Sequence, residues 1–467
     1  MKKLILLLAL LVLAGCSSKK APQQEAVAEV PPSTDAIYLY ENGSRYLAID
    51  DTGAVIMEVQ DGQMYILKEN EVPVSLAVTR TEGSVTNEYG WTEPEKQWCD
   101  FYDPSGKFLY SLPINYTRLS NGLLIGYNQQ EATTQVYRFA DGMLLYDDVH
   151  ADYMLKDTTY ITQGSWDAPG VFLNRRGEII SRLDDEYCSS YSISGGYLIV
   201  KKNALCGLVR SDGTEVLPAK YQDIREGKLG CVHVQTPTGW QVIELETGQI
   251  KMEHTMEIHI MAEDYAVVMV DEDDRTYRLV DRNGNPLMKE TFYWPNGYDT
   301  DGDDLPDLFN ATLSGSDATC VFNTHGKILW QADENVYPTV LANEKVLLHQ
   351  YLYDEYGNFV SNKFQLLDLK TNKMTDLKAD KNTYYNPLYT TTGMERGYIC
   401  QSSPNEQGWS RSSILDVDGN VLLKDLKDMY YRGNGVFQCS YGFRSGLLRI
   451  DGTWLYEESS FSALDDN

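Results

Sequence analysis

One short unit recurs along this 467-residue chain and limits the folds that the chain can adopt. It is a run of β-forming residues, a polar turn that ends in Gly, and a second β-forming run, as in GLVRSDGTEVL (207–217). The turn glycines are Gly53, Gly106, Gly142, Gly177, Gly213, Gly248, Gly284, Gly326, Gly419 and Gly452, with Asn372 in the same role. From Gly106 to Gly284 they follow at steps of 36, 35, 36, 35 and 36 residues. Each unit is typical of a β-hairpin whose turn residue takes a positive φ.

The segments between hairpins supply further strands, as in 220–235, so one unit predicts about four short strands. No long segment shows the period of a helix. A small sheet cannot bury both of its faces alone, whereas stacked neighbours bury them for one another. We therefore predict an all-β fold, a β-propeller-like toroid of four-stranded units over 36–467, in which the two termini together complete one blade. The alternative is an open β-solenoid.

One of these units, CGLVRSDGTEVLPAKYQDI (206–224), resembles the WG-repeat family of bacterial proteins. The matching residues are Gly207, Leu208, Val209, Gly213, Val216, Leu217, Pro218, Tyr221 and Ile224. Cys206 replaces the Trp that names the family, although Trp98 and Trp240 begin the equivalent strands of other units. The resemblance covers 170–250 and one hairpin near the C terminus. It implies a repetitive β architecture and a binding role, and it implies no catalytic residues.

The N-terminal segment has the features of a targeting signal rather than of a folded element. Two lysines precede an apolar run over 4–13, which is short of the about 20 apolar residues that span a bilayer. The sequence LAGC (13–16) resembles the lipobox of bacterial lipoproteins, which implies cleavage before Cys16 and a lipid on its sulfur. The alternative is an ordinary secretory signal. We predict a signal peptide over 1–15 and a lipidated Cys16 with a flexible tether over 16–35, which anchor the protein to the bacterial envelope, at the outer membrane or the cell surface.

The net charge limits the classes of partner that the protein can bind, and the cysteine content indicates the state of its thiols. The formal net charge of −28 argues against nucleic acid and anionic lipid surfaces, and it favours cations. Seven cysteines follow Cys16, and no two form a CxxC pair. Because seven is odd, at least one thiol stays unpaired, and we expect most of them to be buried apolar residues.

The most acidic stretch is DTDGDDLPD (299–307). It resembles the calcium loops of FG-GAP propeller blades, Asp-x-Asp-Gly-Asp-Gly-x-x-Asp, except that Asp304 replaces the second Gly. Oxygen ligands at this spacing suit a hard cation. The step from Gly284 to Gly326 is 42 residues, so the loop is an insertion. We predict a structural Ca²⁺ site, and the alternative is a solvated acidic turn. The predicted ligands are the carboxylates of Asp299, Asp301, Asp303 and Asp307 and the carbonyl of Leu305.

Aromatic residues concentrate in 382–390 and 349–359, where the repeat is least regular. Exposed Tyr presents a rigid apolar ring with a polar tip, which suits sugars and protein partners. These residues are therefore a candidate ligand face, although β-propensity and packing between blades are the favoured explanation of the aromatic clusters. The residues of this face are Tyr384, Tyr385 and Tyr389.

No catalytic motif stands out. The chain has no GxSxG, P-loop or GxGxxG sequence, and His254 and His259 fall on opposite faces of a predicted strand, which disfavours a zinc pair. We therefore predict a non-catalytic binding or scaffold lipoprotein that recognises an envelope protein or a glycan. The alternative is a glycan-processing propeller enzyme, because a fold does not determine a function.

Replacing Cys16 with Ser is expected to leave the chain unprocessed and without lipid, because a hydroxyl does not replace the thiol that carries the diacylglycerol. Membrane fractionation and mass spectrometry of the N terminus measure both effects. The control Cys99→Ser is expected to change neither. Normal processing and membrane retention of the Cys16 variant would contradict the lipoprotein prediction.

Overall fold

The structure is a computed structural model that describes residues 36–458 with short gaps. The gaps are 87–89, 116, 166, 167, 169, 185, 186, 194, 195, 301, 302, 304, 317, 333, 334, 390–393, 405–409 and 443, together with the side chains of 151, 152, 189–192, 389 and 394–396. The described residues form β-strands almost throughout, with one 3-10 turn at Ala342–Glu344. Among them, no helix is long and apolar enough to cross a membrane. The predicted all-β class is therefore confirmed.

Antiparallel pairing groups the described strands into one three-stranded sheet, four four-stranded sheets, three seven-stranded sheets and one inserted two-stranded pair. Dividing each seven-stranded sheet at its long central strand gives eleven consecutive units, which we call blades 1 to 11. Blade 1 is β1 (Ile37–Asn42), β2 (Arg45–Asp50) and β3 (Val55–Gln60); blade 2 is β4 (Gln63–Glu69), β5 (Val72–Glu82), β8 (Lys96–Tyr102) and β9 (Phe108–Leu112), with the inserted pair β6 (Val85–Thr86) and β7 (Thr92–Glu93); blade 3 is β10 (Thr117–Ser120), β11 (Leu123–Asn128), β12 (Thr133–Arg138) and the start of β13 (Met143–Met154); and blade 4 is the end of β13, β14 (Thr159–Gln163), β15 (Val171–Leu173) and β16 (Ile179–Arg182).

Blade 5 is β17 (Cys188–Ile193), β18 (Tyr197–Lys202), β19 (Leu205–Arg210) and β20 (Glu215–Tyr221); blade 6 is β21 (Asp223–Glu226), β22 (Cys231–Thr236), β23 (Gly239–Glu244) and β24 (Ile250–His254); blade 7 is β25 (Ile258–Met261), β26 (Tyr265–Asp271), β27 (Thr276–Asp281) and the start of β28 (Phe292–Tyr298); and blade 8 is the end of β28, β29 (Leu308–Leu313), β30 (Thr319–Asn323) and β31 (Ile328–Ala332).

Blade 9 is β32 (Val336–Val340), β33 (Lys345–Tyr353), β34 (Phe359–Asp368) and β35 (Lys373–Leu377); blade 10 is β36 (Tyr384–Tyr389), β37 (Met394–Pro404), β38 (Ser410–Asp416) and the start of β39 (Val421–Gly433); and blade 11 is the end of β39, β40 (Val436–Tyr441), β41 (Arg444–Arg449) and β42 (Trp454–Glu458).

The predicted turn residues join the last two strands of each blade, and every one of them has a positive φ, from 54° at Asn372 to 94° at Gly53. At Gly53 a Cβ atom would lie 2.0 Å from the Leu455 carbonyl oxygen of blade 11, so this turn has no room for a side chain. The sequence period therefore marks one turn per blade. It recurs because the same left-handed turn is needed in each.

Each blade is stabilised by its neighbours. Between blades 5 and 6, for example, fully buried Leu208 packs in one cluster with Ile224 and Val232. Three long strands, β13, β28 and β39, end one blade and begin the next; in β13, Val149 pairs with Thr134 on one side and Gln163 on the other. We call the first strand of a complete blade its inner strand and the last its outer strand.

The last blade packs against the first. Leu47 of blade 1 and Leu447 of blade 11 are fully buried in one cluster. Beside them the Glu458 carboxylate accepts hydrogen bonds from Tyr40 (2.7 Å) and Asn42 (2.9 Å). This contact closes the row of blades, so the predicted toroid is confirmed and the alternative of an open solenoid is wrong. The predicted blade built from the last hairpin and the first segment is wrong, because β41 and β42 pair with β40 in blade 11, whereas β1 and β2 pair with β3 in blade 1.

All seven described cysteines are unpaired in the structure, and four of them are buried. The buried thiols are Cys99, Cys206, Cys320 and Cys439. Burial raises the pKa of the Cys99 thiol to about 12, which makes it unreactive at neutral pH. The expectation of mostly buried, apolar cysteines is confirmed.

Leu447→Ala tests the closing interface. The substitution removes a fully buried side chain, and we expect the free energy of unfolding to fall by about 2–5 kcal/mol. The control Leu422→Ala removes the same atoms from a 40% exposed position and is expected to cost far less. Urea denaturation followed by tryptophan fluorescence measures both. Equal effects would show that blades 1 and 11 do not stabilise each other.

Candidate functional site

A cavity of about 690 Å³ lies along the inner strands of blades 6, 7 and 8. We call it the basin. Its wall combines imidazole, carboxylate and amide groups with small apolar residues: Glu226, Gly227, Lys228, His233, His259, Ile260, Met261, Pro295, Asn296, Gly297, Asp299 and Pro306. These residues come from three blades, so the stacking of blades, and no single segment, builds the basin.

His233 is the most informative residue of the wall. Its side chain is 4% exposed, and its Nδ1 lies 2.7 Å from the Ile258 carbonyl oxygen. Because a carbonyl can only accept, Nδ1 carries the proton and Nε2 holds a lone pair. Nε2 is buried and has no hydrogen-bond partner among the described residues. A buried acceptor without a partner is costly, so this atom takes a donor from the cavity, which can be water or a ligand.

The protonation state of His233 supports this conclusion. Burial lowers the pKa of the imidazole and outweighs the opposite effect of the hydrogen bond to Ile258; His259 and Arg225 lower it a little further. The ring is therefore neutral at neutral pH, and its Nε2 stays an acceptor. Gly227 leaves this edge open, because a Cβ atom there would lie 3.1 Å from Nε2.

The second imidazole, that of His259, is also kept neutral. Burial lowers its pKa, although Glu257 acts in the opposite direction from 3.9 Å. The Glu257 carboxylate is engaged by Arg225 at 2.6 Å, and the Arg225 guanidinium lies 4.7 Å from the centre of the Trp240 ring. The cation is thereby held by a carboxylate and an aromatic face.

The acidic loop 299–307 connects β28 to β29, so it is the turn after the inner strand of blade 8, as the insertion predicted. Asp307 accepts hydrogen bonds from the Thr300 backbone N–H and hydroxyl, both at 2.8 Å, and Asp303 accepts from the Leu305 N–H at 2.8 Å. Asp299 lines the basin. Asp303 and Leu305 line a second cavity, of about 300 Å³, with the turn after β21 and with Tyr197 of blade 5. The loop therefore reaches from blade 8 toward blades 5 and 6.

The predicted calcium ligands are only partly within the described residues, because Asp301 is not among them. Of the side chains that are described, no three carboxylate, imidazole or thiol groups are arranged to hold a metal ion. Calcium binding by Asp299, Asp301, Asp303, Asp307 and the Leu305 carbonyl therefore stays a prediction. It requires the loop to close around the ion.

The predicted tyrosine face is wrong in part. Tyr384 is 42% exposed, but Tyr385 is buried between blades 9 and 10 and donates a hydrogen bond to the Lys378 carbonyl at 2.7 Å. The two residues are consecutive in β36, and consecutive strand residues face opposite sides. The side chain of Tyr389 lies outside the described part of the structure.

Trp294 and the basin histidines His233 and His259 are site residues that the sequence did not predict. Trp294 is 71% exposed and has a φ of 45°, a conformation that is rare for a bulky residue. It lies within the bulge of β28, and the next two residues, Pro295 and Asn296, line the basin. Such backbone strain is frequent at functional sites. The unusual Trp-Pro pair inside a predicted strand could have indicated Trp294 from the sequence. The two histidines are 26 positions apart, and no sequence pattern connects them.

Comparisons with known proteins leave the function open. No protein-family model matches the chain, and no curated protein matches it. Solved structures with some likeness include a eukaryotic initiation factor, with 10% identity, a TM-score of 0.37 and coverage of 84% of this chain and 96% of that one. AztD from Citrobacter koseri has 11% sequence identity and a TM-score of 0.27, over 73% of this chain and 93% of AztD. Hsv2 from Kluyveromyces lactis has 11% sequence identity and a TM-score of 0.26, over 65% of this chain and 96% of Hsv2. Likenesses this weak carry no argument about function.

Calcium is expected to raise the melting temperature of the wild type, because an ion that binds only the folded state stabilises it by about 2.7 kcal/mol at 100 times Kd. The double variant Asp301→Ala with Asp303→Ala is expected to lose this response while remaining folded. The matched control, Asp273→Ala with Asp274→Ala, removes two acids from another turn and is expected to keep it. Differential scanning fluorimetry with Ca²⁺ and with chelator measures the shift. No shift in the wild type and no calorimetric binding at millimolar Ca²⁺ would leave a solvated acidic turn.

Proposed function

We propose that this chain is a WG-repeat-type binding lipoprotein of the bacterial envelope, anchored through Cys16 and non-catalytic, which recognises a glycan in the basin. A structural Ca²⁺ in the FG-GAP-like loop is part of the same proposal. The observation that carries the binding role is the unpartnered Nε2 of His233, which is buried in the wall of an open cavity.

The chemistry of the wall favours a ligand rich in hydroxyl groups. His233 Nε2 is an acceptor, and the carboxylates of Glu226 and Asp299 add further acceptors. Sugar hydroxyls donate to such groups and accept from the amide of Asn296 and the ammonium of Lys228. The exposed indole of Trp294, next to the basin in sequence, suits the apolar face of a sugar ring. The net charge of −28 disfavours an anionic ligand.

A glycan-processing enzyme is the second candidate, and one observation favours it. Two imidazoles and two carboxylates line the same cavity: His233, His259, Glu226 and Asp299. Groups of this kind can act as general acids and bases when a substrate lies between them. The binding role remains the main proposal, because a hydrogen-bond donor from a bound ligand is enough to satisfy His233 Nε2, and no chemical reaction has to be assumed.

His233→Asn tests the binding role. The asparagine amide can keep the donor to the Ile258 carbonyl, but it has no acceptor at the position of Nε2. We expect glycan affinity to fall about 2- to 10-fold, the effect of one neutral hydrogen bond. His233→Gln reaches toward the Nε2 position and is expected to recover part of the loss. His325→Asn, in an exposed turn, is the matched control. Affinity is also expected to fall in acidic solution, and to do so at a lower pH than for an ordinary histidine, because the lowered pKa delays protonation of Nε2.

The measurement uses the full lipidated chain in detergent, first on an array of bacterial surface oligosaccharides and then by calorimetry with the glycan that binds best. Absence of binding to every glycan, with capture of an envelope protein instead, would overturn the glycan part of the proposal. Product formation from a bound glycan, lost on Glu226→Gln or Asp299→Asn, would replace the binding role by the enzymatic one.

A further inference from the structure

The basin and the second cavity, of about 300 Å³, share a border. The turn after β21 contributes Glu226, Gly227 and Lys228 to the wall of both. Two backbone hydrogen bonds hold this turn: the Gly227 N–H donates to the Cys231 carbonyl at 3.2 Å, and the Cys231 N–H donates to the Lys228 carbonyl at 3.0 Å. The same three residues therefore meet a ligand in either cavity.

The acidic loop is a second shared border. It lines the basin through Asp299 and Pro306, and it lines the second cavity through Asp303 and Leu305. The Tyr265 hydroxyl ties the loop to blade 7, because it donates a hydrogen bond to the Pro306 carbonyl at 2.5 Å. Two cavities between the same turn and the same loop form one depression, which extends from the inner strands of blades 7 and 8 to blade 5. We call the two cavities together the trough.

The unpartnered acceptor lies where the two cavities meet. Gly227 lines both cavities, and a Cβ atom on it would lie 3.1 Å from His233 Nε2 and 2.9 Å from the Cys231 carbonyl oxygen. A side chain at position 227 would therefore crowd Nε2. A ligand group that donates to Nε2 lies against Gly227, and from there the rest of the ligand can extend into the second cavity.

The second cavity has sugar-binding chemistry of its own. The Tyr197 ring lines it and packs, partly buried, against the core of blades 5 and 6. An aromatic ring with a polar tip suits the apolar face and the hydroxyls of a sugar. Glu226 and Asp303 supply carboxylate acceptors for hydroxyl groups. Ile193 and Leu245, which are 6% and 7% exposed, complete an apolar lining.

The size of the trough also favours a ligand of more than one sugar residue. Sites for drug-sized ligands are about 300–1,000 Å³. The basin of about 690 Å³ is within this range by itself, and the second cavity adds about 300 Å³. A monosaccharide is smaller than such a ligand, so one that lies on His233 leaves the second cavity unused. A linked second residue reaches that cavity without a second loss of translational and rotational freedom.

We propose that the trough is an extended site for an oligosaccharide, in which one sugar residue binds at His233 and the next one binds on Tyr197. The inference rests on the proposed glycan function and adds the ligand class to it, which is a chain of linked sugars rather than a monosaccharide. Lys228, at the border of both cavities, is placed to donate to hydroxyls of either residue.

A length series tests the proposal. The glycan that binds best on the array is shortened to fragments of one, two and three residues, and calorimetry measures the affinity of each for the full lipidated chain in detergent. Chelator is present throughout, so that calcium does not engage Asp303. We expect the second residue to raise the affinity about 2- to 10-fold, the effect of one aromatic contact.

Substitutions of Tyr197 assign this gain to the second cavity. Tyr197→Ala is expected to abolish the gain and to leave the affinity for the monosaccharide unchanged, whereas Tyr197→Phe keeps the ring and is expected to keep the gain. Because Tyr197 also packs on the core, Tyr197→Leu is added; it keeps apolar bulk without an aromatic face, and it is expected to lose the gain at an unchanged melting temperature. His233→Asn is expected to weaken all three fragments by the same factor. Tyr441→Ala, at a 44% exposed position in blade 11, is the matched control and is expected to change nothing.

The outcomes separate this proposal from the proposed function. Equal affinities for all fragment lengths, still lowered by His233→Asn, would leave a glycan site in the basin and overturn the extended site. A gain that persists in both Tyr197→Ala and Tyr197→Leu would also overturn it, because the second residue would then bind outside the second cavity. Absence of binding at every length would overturn the glycan function and the extended site together.

Discussion

The whole structure depends on the burial of one blade face against the next. A four-stranded sheet has two faces, and neither strand pairing nor turn chemistry removes those faces from water; only the neighbouring blades do. The buried residues at these contacts are aliphatic and aromatic, such as Leu208 between blades 5 and 6 and Phe309 between blades 7 and 8. A row of blades would leave one apolar face exposed at each end. The contact of Leu47 with the Leu447 cluster removes both exposed ends at once, so closure follows from the same force that stacks the blades.

The sequence predicted what is local. A left-handed turn residue every 35 or 36 positions is a requirement of each hairpin, so it appears as a period, and the strands on either side follow from it. Even the inserted loop was visible, as a step of 42 between Gly284 and Gly326. The eleven turn residues correspond one to one to the eleven blades, although insertions such as the β6–β7 pair and the long β33–β34 hairpin lengthen some units and interrupt the regular spacing.

The basin was not predicted, because its parts are distant in sequence. His233 and Asp299 are separated by more than one repeat, and only the stacking of blades 6, 7 and 8 places them in one wall. The tyrosine face failed for a different reason. Alternation shows that Tyr384 and Tyr385 face opposite sides, but both are tyrosine, so composition does not distinguish the core side from the solvent side. Sequence patterns identify a strand's two faces best when the faces differ in polarity.

Asp299 connects the two proposed binding events. It lines the basin, and it is also the first predicted ligand of the calcium loop. An ion that draws this carboxylate into the loop would change the acceptors that a glycan meets, and a glycan hydroxyl on Asp299 would change the charge that an ion meets. Two ligands that share a group in this way are thermodynamically coupled, and each alters the affinity of the other by the same factor. In the two proposals taken together, Asp299 in the lengthened inner turn of blade 8 would serve both the ion and the glycan, so the basin and the loop would act as one site.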